Sequence, residues 1–449
     1  MTRVGGPARH RWALGLAVLV LLGIALATGL GAGAPARHLV LLSIDGLRPD
    51  FYLDESYPTP ELRALVSAGS HARAAEPVFP TVTYPNHASI ATGVRPARHG
   101  IAFNVRFEPN GTRGRWYEEA ADLRAPPLWE WARAAGLRTA AVSWPSTLGA
   151  PIDLLLPERD YYARREPLGL LLAASTPGLY ERLGVTPRAE IFRDIVRWDA
   201  FLAAVAAAII RDARPHLLLV HLVQADYFQH RGGGEGAEVR PALGRLDAHV
   251  GTLRRALEDA GLGERSALFV VGDHGFQDYE RTVFPNEILA RAGLRRCPEA
   301  GSGWRATAHV AGGAAAVFVN PPDDAEAAAA AERALRQGAG SRYTVLPRPH
   351  LDGLGAMPGA ALGIEAAPGY TVGGACGRGL VERSGTGGMH GFLPTRASMA
   401  TGFVAAGDGV RSGVALERVR LVDVAPTAAR LLGVTPPPVE GRVLEEILR

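Results

Sequence analysis

Stretches of unbroken apolar residues separated by amphipathic ones dominate the chain from residue 37 onward. The run His38–Ile44 (HLVLLSI) has no polar alternation, the pattern of a strand covered on both faces. Comparable runs lie at 139–143, 217–222, 267–271, 314–319 and 402–406. Between them, apolar residues recur at helical spacing over 60–68, 128–135, 189–211, 241–260, 323–337 and 422–432. Strands alternating with helices predict an α/β fold, a large mostly parallel sheet with helices on both faces. The Gly-rich stretch 350–388 shows weak periodicity, so a loop-rich insertion is expected over 276–388, shaping an outer pocket.

The first 36 residues read differently. Arg9 and Arg11 precede an apolar run from Trp12 to about Leu30, and small residues follow to Ala36. That is a secretory signal, or an uncleaved signal anchor, since the run is almost long enough to span a bilayer. Either way, residues 37–449 are expected as one exported catalytic domain, periplasmic or extracellular, with membrane anchoring by the N-terminal segment in the uncleaved case. Cys297 and Cys376 are the only cysteines, and an exported chain can oxidise them or leave them unpaired.

All 48 basic residues are arginine; the chain has no lysine. Mechanisms that need an ammonium group, the P-loop among them, are thereby excluded. A net charge of +3 over 449 residues does not argue for a nucleic-acid polymer as partner.

In an open α/β sheet, ligands gather at the carboxyl ends of the strands. Asp45 closes the first strand, Asp226 and His230 follow the strand at 217–222, and Asp273 and His274 close the one at 267–271. Asp226 and His230 are four apart and share one helical face. With His390 in "GGMHGF", three aspartates and three histidines offer the mixed oxygen and nitrogen ligation that suits zinc or a similar divalent cation. His71, His216, His249 and His309 show no partner pattern and read as surface or satisfied core residues.

The segment "VFPTVTYPNHASIATG", 78–93, places two threonines before a helix start marked by Pro85. A threonine hydroxyl is a poor nucleophile unless a cation activates it. In an extended segment Thr81 and Thr83 point to the same side, so alternation does not separate them; proximity to the helix favours Thr83.

Taken together, "SIDGLRPDF", "PTVTYPNHASIATGVRPARHGI", "PPLWEWARAAGLRTAAVSWPS", "GDHGF", "MHGF" and "LVDVAPTAARLLG" resemble, in order, segments of the nucleotide pyrophosphatase/phosphodiesterase family of the alkaline phosphatase superfamily, over nearly all of 38–432. The resemblance implies an alkaline-phosphatase-like fold and hydrolysis of phosphodiester or phosphoanhydride bonds in a small nucleotide-type substrate. It implies Thr83 as nucleophile and two divalent ions, one held by Asp45, Thr83, Asp273 and His274, the other by Asp226, His230 and His390. Asn104 would hold a phosphoryl oxygen, and Tyr84 would line the leaving-group pocket; Trp144-Pro145 matches a segment near the site. "VQADYFQH" departs from the family's acidic-Pro-Asp lead-in, and Tyr84 stands where phenylalanine is common, which leaves substrate identity open. The rivals are a phosphomonoesterase or phosphonate hydrolase of the same superfamily and, more remotely, a non-catalytic binding protein of the same fold. No Cys-x-Pro-x-Arg segment supports a sulfatase.

Overall fold

The computed structural model describes residues 37–449 apart from 109–112, 298–302 and 378. The N-terminal segment expected as a signal or anchor lies outside the described residues. Within them, no helix is long and apolar enough to cross a membrane.

Eight strands form the main sheet: β1 (His38–Ile44), β2 (Ser70–Ala72), β3 (Thr139–Trp144), β4 (Leu154–Pro157), β5 (Leu217–Leu222), β6 (Ser266–Val271), β14 (Phe403–Gly407) and β15 (Val414–Leu416). Their order is β15-β2-β14-β6-β1-β5-β3-β4. From β6 to β4 every pairing is parallel, with Leu39 opposite Leu217 and Val40 opposite Leu268, whereas β14 runs antiparallel to β6. The unbroken apolar run of β1 follows from its place at the centre. Val40, Leu42 and Ile44 enter one core, and Leu39 and Leu41 enter another on the opposite face. Each such leucine stabilises the fold by about 1.5–3 kcal/mol.

Helix α1 (Thr83–Thr92) lies beneath one face, and α2 (Ile195–Ala213), α3 (Gln224–Gly232) and α4 (Val239–Asp259) belong to the other side. The Asp194 side chain caps α2 by accepting from the Arg197 N–H. Asp199, fully buried within α2, accepts from the backbone N–H groups of Val223 and Gln224. It thereby fixes the N-terminal end of α3, the helix that carries Asp226 and His230.

The region 276–388 is not loop-rich. Between β6 and β14 the chain builds β7 (Gln277–Val283), β8 (Ala306–Ala311), β9 (Ala314–Val319), β10 (Tyr343–Pro347), β11 (Leu362–Ala366), β12 (Gly369–Val372) and β13 (Val381–Met389). They form a four-stranded antiparallel sheet, β8-β9-β11-β10, and a three-stranded one, β12-β7-β13. The run at 314–319 belongs to this second sheet, not to the main one as its apolar pattern suggested. The helix Ala325–Ala339 and an apolar core of its own support it, so β9 is also covered and reads as buried. Within 350–388, glycine hid β11, β12 and β13, because it erases side-chain alternation without preventing sheet pairing. Cys297 and Cys376, left open by the sequence, are joined in a disulfide within this region.

Candidate active site

The turn after β1 sets the site. Gly46 has φ +70°, and a Cβ there would meet Phe276 at 2.7 Å, so only glycine fits. That turn aims the Gly46 N–H at Asp273 Oδ1, 3.0 Å away, and the His274 N–H reaches the same oxygen at 3.0 Å. One carboxylate oxygen of Asp273 is thus tied down, and Oδ2 is left facing inward. Asp45 is divided in the same way: Oδ2 lies 3.2 Å from His221 Nε2, and Oδ1 has no hydrogen-bond partner.

The histidines are oriented by their other nitrogens. His230 Nδ1 donates to the Gly388 carbonyl at 2.9 Å, His390 Nδ1 to the Thr81 carbonyl at 2.9 Å, and His274 Nδ1 faces the Gly275 carbonyl at 3.3 Å. Each Nδ1 therefore carries the hydrogen, and each Nε2 presents a lone pair to the site.

Two groups result. Asp45 Oδ1 and Asp273 Oδ2 both lie 3.2 Å from His274 Nε2. Asp226 Oδ1 lies 3.2 Å from His230 Nε2 and 3.7 Å from His390 Nε2, and those two Nε2 atoms are 3.1 Å apart. The groups adjoin, for His274 and His390 stack at 3.6 Å and His274 Nε2 is 4.0 Å from Asp226 Oδ1. Every inward atom is an acceptor, and four of them, on Asp45, Asp226, Asp273 and His274, are buried without a partner. Divalent cations satisfy such a cluster, and the residues form two groups that could each hold one. The electrostatics agree. Burial and the neighbouring Asp226 push the Asp45 carboxyl up to about 7, and burial and Asp45 hold Asp273 well above the carboxylate range. Burial presses His390 down to about 4 and His274 well below the imidazole range. Burial opposes the charge on both Asp226 and His230, but each outweighs it in the other, keeping the carboxyl low and the imidazole raised, so a cation bound here would displace the proton that His230 otherwise holds. Bound cations would stabilise the carboxylates and the unprotonated imidazoles alike.

Thr83 is the first residue of α1 and is 8% exposed. Thr81 is fully buried: its hydroxyl donates to the Phe392 carbonyl at 3.0 Å and accepts from the Gly391 N–H at 2.9 Å. The two threonines do not point alike, because Thr83 is already helical. Thr81 holds the loop that carries His390; Thr83 is the hydroxyl at the helix start.

Asn104 Oδ1 accepts from the Tyr84 N–H at 2.9 Å. That bond fixes the amide orientation and leaves Nδ2 as the donor toward a ligand at the helix N-terminus. Asn104 also lines a cavity of about 490 Å³, together with Phe107, Trp116, His309, Val310 and His390. Tyr84, expected to line such a pocket, does not. It is 2% exposed, its ring packs on Trp116 at 5.4 Å, and Trp116 is the side chain that reaches the cavity. His309, read as ordinary, stands in the cavity wall, with Nε2 donating to the Val105 carbonyl at 2.9 Å. Trp144 is fully buried beneath the site and meets His87 edge-on at 5.0 Å.

Sequence reasoning also passed over His87, His221 and Glu158. His87, one turn after Thr83, donates from Nδ1 to the Thr83 carbonyl at 2.9 Å. His221 lies between Asp45 and Glu158. The i,i+4 spacing of Thr83 and His87 was a visible signal; the His221–Glu158 contact, 63 residues apart in the chain, was not.

The family model for type I phosphodiesterase/nucleotide pyrophosphatase matches residues 39–392. Human ectonucleotide pyrophosphatase/phosphodiesterase family member 1 is 26% identical over 272 residues, 58% of this chain and 26% of its own length. Human family member 7 is 28% identical over 280 residues, 58% of this chain and 54% of its own length. The chain thus spans about a quarter to a half of the curated relatives it matches. The solved structure of human ectonucleotide pyrophosphatase/phosphodiesterase 5 superposes with a TM-score of 0.70 at 20% identity, over 92% of this chain and 100% of that one. The murine counterpart, an inactive threonine-to-alanine variant in complex with AMP, gives a TM-score of 0.69 at 20% identity, over the same 92% and 100%. That likeness shows the alkaline-phosphatase-like fold. The chain belongs to the type I phosphodiesterase/nucleotide pyrophosphatase family.

Proposed function

We propose that this chain is an exported two-metal phosphodiesterase or nucleotide pyrophosphatase that works through a covalent threonine intermediate. The observation that carries the reading is the cluster of Asp45, Asp226, His230, Asp273, His274 and His390, adjoined by α1, whose His87 Nδ1 lies 3.7 Å from Asp273 Oδ2 and 2.9 Å from the Thr83 carbonyl. Asp45, Asp273, His274 and Thr83 would hold one ion, and Asp226, His230 and His390 the other; zinc suits their mix of donors. When bound, the pair supplies Lewis-acid stabilisation to the attacking and departing oxygens of an in-line displacement. Thr83 Oγ1 attacks phosphorus, the ester bond to the leaving group breaks, and a phosphoester on Thr83 remains. Water then attacks the same phosphorus and returns the threonine. Asn104 Nδ2 and the free N–H groups of the first turn of α1 stabilise charge on the non-bridging oxygens. The leaving group would occupy the cavity beside Trp116 and Phe107. The inactive threonine-to-alanine variant of the murine relative, bound to AMP, supports both the nucleophile and a nucleotide-type substrate.

A diester is preferred over a monoester. The site offers no cation for the second negative charge of a monoester: among the described residues, no arginine is ion-paired or hydrogen-bonded to the six acids and histidines. Arg106, the one arginine near Asn104 in sequence, is paired with the buried Asp122 and packed over Tyr117 at 5.0 Å. Export is supported by the Cys297–Cys376 disulfide and by relatives named as ecto-enzymes and venom phosphodiesterases. The test is the ratio of kcat/KM for a p-nitrophenyl diester to that for p-nitrophenyl phosphate, with saturating zinc at one pH. A ratio above one is expected. A ratio well below one hands the site to the monoesterase reading, and no turnover of either ester by the zinc-loaded protein hands it to the binding-protein reading.

A further inference from the structure

Beside the metal-binding acids lies a second ionisable pair, fully buried His221 and partly exposed Glu158, with no role in the displacement itself. Glu158 follows β4 at the edge of the main sheet. Its Oε2 lies 2.6 Å from His221 Nδ1, across the end of β3. Ser143, near the end of β3, has φ 56°, an unusual left-handed conformation for a non-glycine residue, and its carbonyl lies 3.2 Å from the same Nδ1. His221 Nε2, in turn, lies 3.2 Å from Asp45 Oδ2. A line of contacts therefore runs along the carboxyl ends of β4, β3, β5 and β1 and ends on a metal ligand.

Both imidazole nitrogens of His221 face carboxylate oxygens, Glu158 Oε2 on one side and Asp45 Oδ2 on the other. The contact with Oδ2 leaves Asp45 only Oδ1 to offer a cation. A second branch starts at His221: its ring lies 4.3 Å from that of His87, whose Nδ1 donates to the Thr83 carbonyl at 2.9 Å. The pair thus touches the metal ligand on one side and, through His87, α1 on the other.

We propose that Glu158 and His221 are positioning residues. They set the one-oxygen grip of Asp45 on the cation it shares with Asp273 and His274, and keep that grip in register with the turn that carries Thr83. The inference rests on the two-metal reading above. A pair that served only packing would loosen both ions alike or neither.

The test compares the purified full-length chain with Glu158→Gln, His221→Gln and the double variant. Zinc is titrated against a chromophoric chelator, and kcat and KM are measured with a diester. Glutamine at 158 keeps the size and an acceptor but loses the charge. Glutamine at 221 can still donate to Asp45, but its single nitrogen cannot also reach Glu158 as the second ring nitrogen does. In each single variant, one ion is expected to bind about 10–100-fold more weakly, the usual effect of losing a partner behind a metal ligand, while the other keeps its parental affinity. kcat should fall with KM nearly unchanged. The double variant should be no weaker than the worse single one, because the pair acts as a unit. Parental affinity at both sites in the single variants, equal weakening of both sites, or additive losses in the double variant would overturn the proposal. If one single variant does not fold, the other asks the same question from the opposite end of the pair. A parent chain that binds two ions yet cleaves no diester defeats the proposed function and leaves the pair standing; a parent that cleaves diesters while Glu158→Gln binds zinc normally defeats only the pair.

Discussion

Asn104 is the residue whose replacement separates binding geometry from charge. Its Oδ1 accepts the Tyr84 N–H at 2.9 Å, and its Nδ2 is the donor left for the substrate. Asn104→Ala removes both. Losing one preorganised donor to a developing oxyanion costs about 10²–10³-fold in kcat. The orphaned Tyr84 N–H costs about 1–3 kcal/mol of stability as well. Asn104→Asp behaves differently. One oxygen still accepts the N–H, so stability should remain within roughly 0.5 kcal/mol of the parent, as for a substitution that breaks no buried contact. The other oxygen then faces an anionic phosphoryl group. Two unit charges about 4 Å apart at an effective dielectric of about 20 repel by about 4 kcal/mol, roughly a further thousandfold in rate. The more stable variant is thus the less active one. Thermal unfolding followed by circular dichroism and steady-state kcat and KM on a p-nitrophenyl diester measure the two quantities. The reasoning fails if Asn104→Asp equals or exceeds Asn104→Ala in activity, or if Asn104→Ala stays within tenfold of the parent.

Thr81→Ala should keep substantial activity, with kcat lowered less than tenfold, since the Thr81 carbonyl and not its hydroxyl holds His390 and also accepts from the Gly391 N–H; unfolding should show a loss of about 0.5–1.5 kcal/mol from the missing hydroxyl bond to the Phe392 carbonyl. Asp273→Asn should destabilise the zinc-loaded protein and stabilise the chelated one, because an amide at Oδ2 can donate to Asp45 Oδ1 or His274 Nε2; calorimetry with and without EDTA reads both signs. His99 is buried and pressed down to about 3 by that burial, with Nε2 2.9 Å from Ser89 Oγ and Nδ1 accepting from the Ile101 N–H. Its folded pKa lies below the unfolded value of about 6.5, so its contribution is fully present above that pH and is lost as pH falls toward 3, by about 1.4 kcal/mol per pH unit. Relative to His99→Gln, the parent should therefore lose stability on acidification below about pH 6.5, as measured by urea unfolding across pH.

The contrast between what the sequence revealed and what it hid has physical causes. Asp45, Asp273 and His274 were legible because each sits directly after a strand whose apolar run marks its own end. Asp226 and His230 were legible through their spacing of four on one helical turn. Thr83 and Thr81 were not separable by alternation, since the extended segment ends one residue earlier than alternation requires, and only the contacts of Thr81 with Gly391 and Phe392 show its different task. Glu158 and His221 were invisible because parallel strands bring together residues that are distant in sequence and have no local pattern. Tyr84 was misplaced for a related reason: neighbouring the nucleophile in sequence does not mean facing the pocket, and on α1 its side chain turns toward Trp116 and Glu158. The strands β11, β12 and β13 were hidden by glycine, which carries no side chain to alternate.

The claim on which everything else depends is that Thr83 is the nucleophile of a metal-loaded site. Its most direct measurement is rapid acid quench of the zinc-loaded protein during turnover of a p-nitrophenyl diester, with mass spectrometry of the peptide containing residues 78–93, run beside Thr83→Ala. The account predicts a phosphoester mass on Thr83 in the parent, and in Thr83→Ala no adduct, no turnover and an unchanged fold. An adduct on Thr81 or elsewhere, or near-parental turnover by Thr83→Ala, would contradict it.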